Sequence, residues 1–285
     1  MFEPNCVIVT IAPETSLKTF FVRRFIEKKL RENIRDLLKA NGVEFHGISG
    51  LGARFLIGSS KPEKVAAALK KCFGIHAISI AQRTNFTSVE VLSEKGVEIS
   101  KEIISKGTFA VRAKSHLKEI SSKEIDCLMG EKILFANKKL KVNLSKPDNT
   151  VHCIVWGEEA FFYFDSDAGA GGFPVGSQGA IALILSGKAK KDLALGWLLM
   201  RSGCKVLPVT EKKFSKTFGK LREWNSLNNF KEISVEEAKK RFEEGRILAF
   251  FSSETAANRI EKINFSIGEK VFAPFILNSS KTYFS

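Results

Sequence analysis

A cluster of five glycines within eleven residues constrains the fold of this chain more than any other feature. The segment from Gly169 to Gly179 reads GAGGFPVGSQG. A run so rich in glycine, with a proline inside it, cannot continue a helix or a strand. The cluster therefore indicates a domain boundary, which is either a linker or a backbone surface that another group approaches closely.

Beyond the cluster, apolar runs alternate with helical segments. The predicted order is strand 180–185, a helix to 202, strand 205–209, helices near 215–227 and 235–244, and strand 247–251. Strands that alternate with helices in this way indicate a parallel, doubly wound sheet. The last part of the chain is therefore predicted to be a separate domain.

The residues before the cluster also mix strands and helices. Predicted for residues 1–80 are strand 6–11, helix 17–39, strand 54–57, helix 62–72 and strand 75–80. Predicted for residues 81–168 are helix 88–105, strand 108–114, helix 121–136 capped by Ser121 or Ser122, strand 139–144, and a hairpin of strands 150–156 and 160–164. The fold class of the whole chain is thus α/β.

The charge balance indicates which partners suit the protein. The chain has 45 lysines and arginines against 31 acidic residues, which gives a net charge of +14. A surplus of this size favours a polyanionic partner, and nucleic acid is the first candidate. No apolar run approaches the ~20 residues that cross a bilayer, so we expect a cytoplasmic protein with no membrane contact.

The spacing of cysteines and histidines gives no sign of a metal or catalytic site. The five cysteines form no C-x-x-C pair, and the four histidines lie 30 to 40 residues apart. We therefore predict buried thiols, structural or surface histidines, no metal ligand and no catalytic residue.

The helix predicted over residues 17–39 is apolar on one side and basic on the other. The basic residues at helical spacing are Arg24, Lys28, Arg31 and Arg35. We call these four residues the basic stripe. It predicts phosphate contacts without base stacking, because no aromatic residue is interleaved with it. The alternative is a solvated face whose charges are partly paired with neighbouring acidic residues.

One predicted strand also presents cations on one side. The residues of 108–114 alternate, so that Arg112 and Lys114 share a polar face. Such a face suits phosphate contacts, with His116 and Lys118 as an extension and Arg54 as a further RNA-binding candidate. The alternative is again a solvated sheet face.

Several short motifs carry a family resemblance over most of the chain. They read CFGI at 72–75, ISIA at 78–81, TFAVRAK at 108–114, KPD at 146–148 and GGFPVGSQG at 171–179. In these motifs, and in their order over residues 5–210, the chain resembles the tRNA 4-thiouridine synthetase family, also called tRNA sulfurtransferases. The similarity resumes at VFAPFI in 271–276.

The resemblance implies a domain order and a partner. The implied domains are an N-terminal ferredoxin-like domain at 1–80, a THUMP RNA-binding domain at 81–168, a glycine-rich linker at 169–179 and a shortened, degenerate PP-loop-like domain at 180–285. The implied partner is tRNA, in particular its acceptor end, bound by a homodimer that also meets a tRNA-modification protein. In the glycine cluster, the residues expected to contact RNA are Gly172, Phe173, Pro174 and Gly176. The alternative for the cluster is domain packing, with Phe173 buried.

The loop after strand 180–185 departs from the family pattern. Where the family has a Ser-Gly-Gly-x-Asp-Ser loop that holds ATP phosphates, this chain reads SGKAKKD from Ser186. Lys188 replaces the second glycine and adds a Cβ where the backbone would approach a phosphate. No cofactor is predicted, and ATP with Mg²⁺ at Ser186, Gly187 and Lys188 is kept as an alternative.

A second departure concerns sulfur. The family's sulfur-carrying cysteine lies well downstream of the strand matched at 271–276, and no cysteine follows Cys204 in this sequence. Three functions are open: a tRNA-binding protein without ATP pyrophosphatase or sulfur-transfer activity, an active ATP-dependent tRNA sulfurtransferase with an altered loop, and a protein–protein adaptor. The retained RNA-facing features favour the first.

Overall fold

The structure is a computed structural model that divides into two compact units. It describes residues 2–101, 103–210, 215–225, 227, 230–254 and 271–272. Unit 1 contains Met1–Ile11, Val43–Lys70 and Ala77–Ala168, and unit 2 contains Ala12–Gly42, Lys71–His76 and Gly169–Ser285. The sequence-based division into consecutive domains remains a prediction.

Eight helices occur in the described part of the chain. They are α1 (Pro13–Ser16), α2 (Phe20–Ala40), α3 (Pro62–Leu69), α4 (Val89–Ser100), α5 (Ser122–Ala136), α6 (Ala189–Arg201), α7 (Ser215–Trp224) and α8 (Val235–Glu243). Of the two caps predicted for α5, Ser121 is the one that the structure shows: its hydroxyl accepts a hydrogen bond from the Glu124 amide at 3.1 Å. None of these described helices combines the length and apolar character that crossing a membrane requires.

A mixed sheet forms the framework of unit 1. Its strands are β1 (Cys6–Ile11), β2 (Gly47–Leu51), β3 (Arg54–Gly58), β4 (Ile75–Asn85), β5 (Gly107–Ser115), β6 (Leu140–Val142), β7 (Asn149–Trp156), β8 (Glu159–Tyr163) and β9 (Asp167–Ala168). Their order is β2-β3-β1-β4-β8-β7-β5-β6, with β9 paired to β4. Because β4 pairs antiparallel with β8, the strands predicted on either side of residue 80 share one sheet.

Two hairpins of this sheet show where the sequence pattern succeeds and fails. The hairpin predicted around Gly157 is confirmed by the antiparallel pairing of β7 and β8. The pattern does not predict β2, because Gly47 and Gly50 interrupt its apolar alternation. This strand pairs antiparallel with β3 through a turn at Gly52, whose φ of +61° suits glycine.

The main core of unit 1 lies on one side of β5. Leu92 of α4 and Ile125 of α5 pack with Phe109 and Val111 of β5, and all four side chains are buried. Successive side chains of a strand point to opposite faces. The neighbouring polar residues of β5 are therefore directed away from this core.

Unit 2 contains the predicted parallel sheet. Its strands are β10 (Ala180–Ile184), β11 (Lys205–Val209), β12 (Phe250–Ser252) and β13 (Val271–Phe272), in the order β11-β10-β12-β13. All pairings between these strands are parallel, as expected when helices connect them. The core against this sheet includes Leu183, Leu199 and Leu221.

Candidate nucleic-acid interface

Three strands of unit 1 bring cations and aromatic rings onto one face. Arg112 of β5 lies beside His152 of β7, which lies beside Tyr163 of β8. Residues paired across strands share a face, and the His152 and Tyr163 rings are stacked with centroids 4.6 Å apart. The cationic sheet face, as we call it, consists of Arg54, Arg112, Lys114, His116, His152, Trp156 and Tyr163.

A second ring pair lies just beyond the end of β5. The His116 and Trp156 rings have centroids 4.7 Å apart. The turn at Gly52 lies against them, since a Cβ there would meet His116 Cε1 at 3.3 Å. Burial lowers the pKa of His116 from its usual 6.5, and the positive charges of Lys114 and Arg54 lower it further.

The charges around His152 are also mainly positive. Burial lowers its pKa from the usual 6.5, and Arg112 and Arg54 lower it further, against a smaller opposing effect of Asp165. Burial raises the pKa of Tyr163, and the charge of Arg54 partly offsets that rise. Arg54 therefore acts on both histidines and on the tyrosine. Neutral imidazoles beside fixed cations make a surface that attracts anions.

The predicted cations are held to different extents. The Arg112 guanidinium donates a hydrogen bond to the backbone carbonyl of Leu144. Lys114 is exposed and takes part in no ion pair among the described residues. Lys118 is exposed three residues beyond β5, and no described contact ties it to the cationic sheet face. The structure thus brings Arg54 to Arg112 and Lys114, while the role of Lys118 stays a prediction.

Sequence reasoning misses the ring side chains of the cationic sheet face. His152, Trp156 and Tyr163 lie in two segments that read simply as apolar strands. The available signal is the period of two, which places His152 and Trp156 on the same face of β7, alternate to buried Cys153 and Val155. The register that aligns them with the cations of β5 depends on pairing that the sequence does not display.

The basic stripe on α2 lies in unit 2. Arg24, Lys28 and Arg35 are exposed, and Arg31 is half-buried. The nearest glutamates pair with cations outside the stripe: Arg23 Nε lies 2.6 Å from Glu27 Oε1, and Lys29 Nζ lies 2.9 Å from Glu32 Oε2. Within the described residues no ion pair involves an exposed member of the stripe. The positive charges of Lys28 and Arg35 nevertheless act on Glu32 and help to lower its pKa, after the larger effect of Lys29. The alternative of a partly neutralised stripe therefore stays open.

The expectation that no aromatic residue accompanies the basic stripe is wrong. Phe20, Phe21 and Phe25 begin α2, and they are 64%, 82% and 53% exposed. The Arg24 guanidinium carbon lies 5.4 Å from the Phe20 ring centroid, one helical turn away. These rings look like core residues in the sequence, but the buried residues of α2 begin only at Ile26.

The glycine cluster is bonded to the chain's own backbone rather than free as a linker. Its amides donate to carbonyls of residues 75–76 and 201–203 at 2.8 to 3.0 Å. A Cβ on Gly172, whose φ is +71°, would lie 2.3 Å from the Arg201 carbonyl oxygen. The close approach that requires glycine at this position is therefore made by the protein itself.

The four cluster residues that are expected to contact RNA differ in their exposure to solvent. Gly172 and Pro174 are buried, whereas Phe173 and Gly176 are half-buried. Lys18 Nζ lies 5.6 Å from the Phe173 ring centroid. Phe173 and Gly176 are thus the members that RNA can reach, and the assignment of the cluster to RNA stays a prediction.

Polar groups of the loop after β10 are bonded internally. The buried Asp192 carboxylate accepts hydrogen bonds from the Ser186 amide and hydroxyl at 3.1 and 2.9 Å, and from the Gly187 amide at 3.1 Å. The Ser253 hydroxyl donates to the same carboxylate. A side-chain anion of the chain itself therefore sits where these loop amides converge.

Lys188 is also paired within the chain. Its Nζ lies 2.7 Å from Oε1 of Glu254, a residue that is only 3% exposed. The departure seen in the sequence is thus more than an added Cβ, because the lysine holds a buried carboxylate. The groups predicted as an alternative ATP site, namely the Ser186 and Gly187 amides and the Lys188 ammonium, thus already have partners within the chain and do not fit the phosphates of ATP in this arrangement.

Three of the five cysteines follow the prediction of buried thiols. Cys6, Cys72 and Cys153 are buried, and burial raises the pKa of both Cys6 and Cys72 to about 12. Cys204 is half-buried with a raised pKa, while Cys127 is exposed on α5, so the prediction is wrong for Cys127. Among the described residues, no group of three or more histidine, cysteine or acidic side chains is arranged to hold a metal ion.

Two family models match the chain in sequence. The ThiI ferredoxin-like domain matches residues 7–79, and the THUMP domain matches residues 86–165. The second match contains β5, β7 and β8, and therefore most of the cationic sheet face.

Curated relatives carry the name tRNA sulfurtransferase. The probable tRNA sulfurtransferase of Thermococcus kodakarensis is 31% identical over 79% of this chain and 60% of its own length. That of Aeropyrum pernix is 32% identical over 72% of this chain and 52% of its own length. The tRNA sulfurtransferase of Blochmanniella pennsylvanica is 29% identical over 70% of this chain and 42% of its own length. The chain thus spans 60% or less of these relatives.

Solved structures share the fold over nearly the whole chain. PH1313 from Pyrococcus horikoshii superposes with a TM-score of 0.81 at 23% identity, covering 97% of this chain and 96% of the other. A 4-thiouridine synthetase in complex with RNA and bound ATP superposes with a TM-score of 0.76 at 23% identity, covering 95% and 81%. With both domain matches and these relatives, the chain belongs to the family of THUMP-domain proteins that includes the tRNA sulfurtransferases.

Proposed function

We propose that this protein binds tRNA through the cationic sheet face and does not hydrolyse ATP at the loop after β10. The observation that carries the proposal is the sharing of one face by Arg54, Arg112 and Lys114 with two histidine–aromatic ring pairs. Cations position RNA through its phosphates, and rings stack on unpaired bases. Both components are present within the segment that matches the THUMP domain.

The choice of tRNA among RNAs comes from the relatives. They are named tRNA sulfurtransferases, and one structural neighbour is an RNA complex. The net charge of +14 supports a polyanionic partner of this kind. A cytoplasmic location belongs to the same proposal.

The absence of ATP hydrolysis is supported by the bonds of Asp192. To admit a phosphate group, the amides of Ser186 and Gly187 would have to release this buried carboxylate, which would keep only the Ser186 and Ser253 hydroxyls as donors. A hydrogen bond to a charged group contributes about 1.5–3 kcal/mol, and two such bonds would be lost. ATP binding would have to offset that cost before any affinity appeared.

Thermal unfolding with separate ligands tests both halves of the proposal. We expect tRNA to raise the melting temperature, because a ligand that binds only the folded state stabilises it. We expect ATP with Mg²⁺ at millimolar concentration to leave it unchanged. No shift with tRNA overturns the RNA half, and a shift with ATP and Mg²⁺ overturns the ATP half.

An active ATP-dependent tRNA sulfurtransferase is the second candidate, because the relatives bear that name. It requires that ATP with Mg²⁺ stabilise the protein and that pyrophosphate be released in the presence of tRNA. A protein–protein adaptor is favoured instead if neither tRNA nor ATP shifts the unfolding transition.

The acceptor end and a homodimer are the finer parts of the proposal. If the acceptor end contacts Phe173, we expect Phe173→Ala to weaken the binding of intact tRNA by about 1–3 kcal/mol and to leave the binding of a 3′-truncated tRNA unchanged. Equal losses for both RNAs remove this assignment. Resemblance to the family supports the homodimer and a tRNA-modification partner, and a monomer in light scattering at high protein concentration counts against the dimer.

A further inference from the structure

The start of α2 exposes an unusual concentration of apolar side chains. We define the α2 aromatic patch as Leu17, Phe20, Phe21, Val22 and Phe25, which are 45% to 85% exposed. The buried side of the helix, from Ile26 to Leu38, is packed in a core, but none of the described side chains between Leu17 and Phe25 is buried. Contiguous exposed apolar surface of this kind marks a binding site more often than scattered single residues do.

Cations lie beside the α2 aromatic patch at two points. The Arg24 guanidinium lies over Phe20, and the basic stripe continues along the same helix. Lys18, directly after Leu17, reaches the Phe173 ring at 5.6 Å. The patch therefore adjoins the half-buried aromatic residue of the glycine cluster within unit 2.

The geometry points to the α2 aromatic patch as a stacking platform for unpaired nucleotides of a bound RNA. This inference rests on the RNA binding proposed above, and it adds a site outside the cationic sheet face. Phe20 and Phe21 meet edge to face at 5.6 Å, an arrangement that leaves ring faces uncovered. A stacked base places its phosphates near cations, and here Arg24 and Lys28 follow the rings by one and two helical turns.

The charges favour RNA over a second copy of this chain. Between Leu17 and Arg35 the sequence has seven basic and two acidic residues. Two such helices packed face to face would bring like charges together, and both glutamates already pair within their own helix. A polyanion meets the same cations with opposite charge.

The extent of the patch also disfavours a lipid surface. A helix that lies in a membrane presents a long apolar side to the lipid. In α2 the exposed apolar residues cover only the first two turns, because the remaining apolar residues are buried in the core. A few stacked nucleotides match a surface of that length.

Two RNAs and a matched control variant test the inference. The RNAs are a blunt duplex and the same duplex with a single-stranded 3′ extension. Phe21→Ala with Phe25→Ala removes two exposed rings, and Phe135→Ala removes a ring that is 86% exposed on α5 of unit 1. We expect the double variant to lose about tenfold or more in affinity for the extended duplex, as expected for lost stacking. We expect the blunt duplex to bind equally well to all three proteins.

Crosslinking reports where the RNA contacts the protein, which an affinity measurement does not. We expect ultraviolet crosslinks from the single-stranded extension to map to the peptide that contains Phe20 to Phe25. Equal affinity losses for the two RNAs, no loss for either, or crosslinks elsewhere overturn the inference while leaving RNA binding intact. A wild-type protein that binds neither RNA overturns the proposed function together with it.

Two further outcomes would assign the patch to another occupant. Dissociation of a wild-type dimer by the double variant, with RNA affinity unchanged, assigns the patch to self-association. Loss of binding to anionic phospholipid vesicles, again with RNA affinity unchanged, assigns it to a membrane surface. Either result overturns the stacking platform.

Discussion

The cationic sheet face and the loop after β10 both concentrate basic residues, but their polar groups have opposite surroundings. In the loop, Ser186 and Gly187 donate to Asp192, and Lys188 pairs with Glu254. On the cationic sheet face, the two histidines are surrounded mainly by cations. A site whose donors are already bonded must break those bonds before it binds an anion, whereas Lys114, which forms no ion pair among the described residues, need not. Basic composition alone therefore does not identify a ligand site.

Replacing the buried carboxylate of the loop is expected to have the largest effect. Asp192→Ala leaves two amides and two hydroxyls of the loop and of Ser253 without their acceptor. The two hydroxyls lie 2.8 Å apart and can still bond to each other, whereas the two amides have no other acceptor among the described contacts. Because an unsatisfied buried donor costs about 1–3 kcal/mol, we expect the free energy of unfolding to fall by about 2–6 kcal/mol. Chemical denaturation measures it.

The control for this change is Asp167→Ala. Asp167 also forms an ion pair, with its Oδ2 2.9 Å from Lys70 Nζ, but its side chain is 55% exposed. Its loss is expected to cost about 0–1 kcal/mol. Similar losses for the two variants would break the contrast between an internally bonded loop and an ordinary surface.

A methyl group at the glycine cluster is expected to have the next largest effect. Gly172→Ala places a Cβ 2.3 Å from the Arg201 carbonyl oxygen, at a φ of +71°. We expect the variant to lose about 2–4 kcal/mol of unfolding free energy, from backbone strain and from the steric conflict. Gly42→Ala is the control, because its φ is +62° but nothing lies within 4 Å of the added Cβ. A loss no greater than that of Gly42→Ala would mean that the cluster is not packed against its own chain.

Removing cations from the sheet face is expected to affect RNA binding but little else. Arg112→Ala with Lys114→Ala should lower the affinity for tRNA about thirtyfold. It should also reduce the slope of log affinity against log salt concentration by about two, one for each lost phosphate contact. The control is Lys190→Ala with Lys191→Ala, which removes two exposed cations that follow the loop after β10. Filter binding over a range of salt concentrations measures both. If both double variants lose affinity equally, RNA responds to net charge and not to this face.

The local sequence predicts the framework well because the signals are local. Alternation in residues 108–114, the cap at Ser121 and the apolar run 180–185 each correspond to an element of the structure. Strand β2 is missed because its glycines hide the pattern. The family resemblance supplies the rest of the domain order.

The candidate site is harder to predict because it depends on pairing between distant segments. The residues that meet Arg112 come from β7 and β8, some forty and fifty positions later in the chain. The bond from Ser186 to Asp192 spans a turn and a helix start, and no spacing rule requires it. The exposure of Phe20 and Phe21 is likewise set by where the core of α2 begins.

The smallest expected effect is a pH dependence of opposite sign for stability and for RNA binding. The pKa values of His116 and His152 are lowered from 6.5, mainly by burial. As pH falls through that value, the unfolded chain takes up protons before the folded chain does, so stability is lost. Bound phosphates favour the protonated imidazoles, so tRNA affinity should rise about threefold to tenfold between about pH 8 and pH 6.

A double variant separates these histidines from other titrating groups. His116→Gln with His152→Gln should flatten the rise in tRNA affinity, and it should also reduce the loss of stability at low pH, because both effects come from the same two rings. His46→Gln removes an exposed histidine that is not part of the cationic sheet face, so it should leave both profiles unchanged. Isothermal calorimetry in buffers of different ionisation enthalpy would measure proton uptake on binding directly. No uptake by the wild-type protein would show that RNA does not approach these imidazoles, and the cationic sheet face would lose its place as the interface.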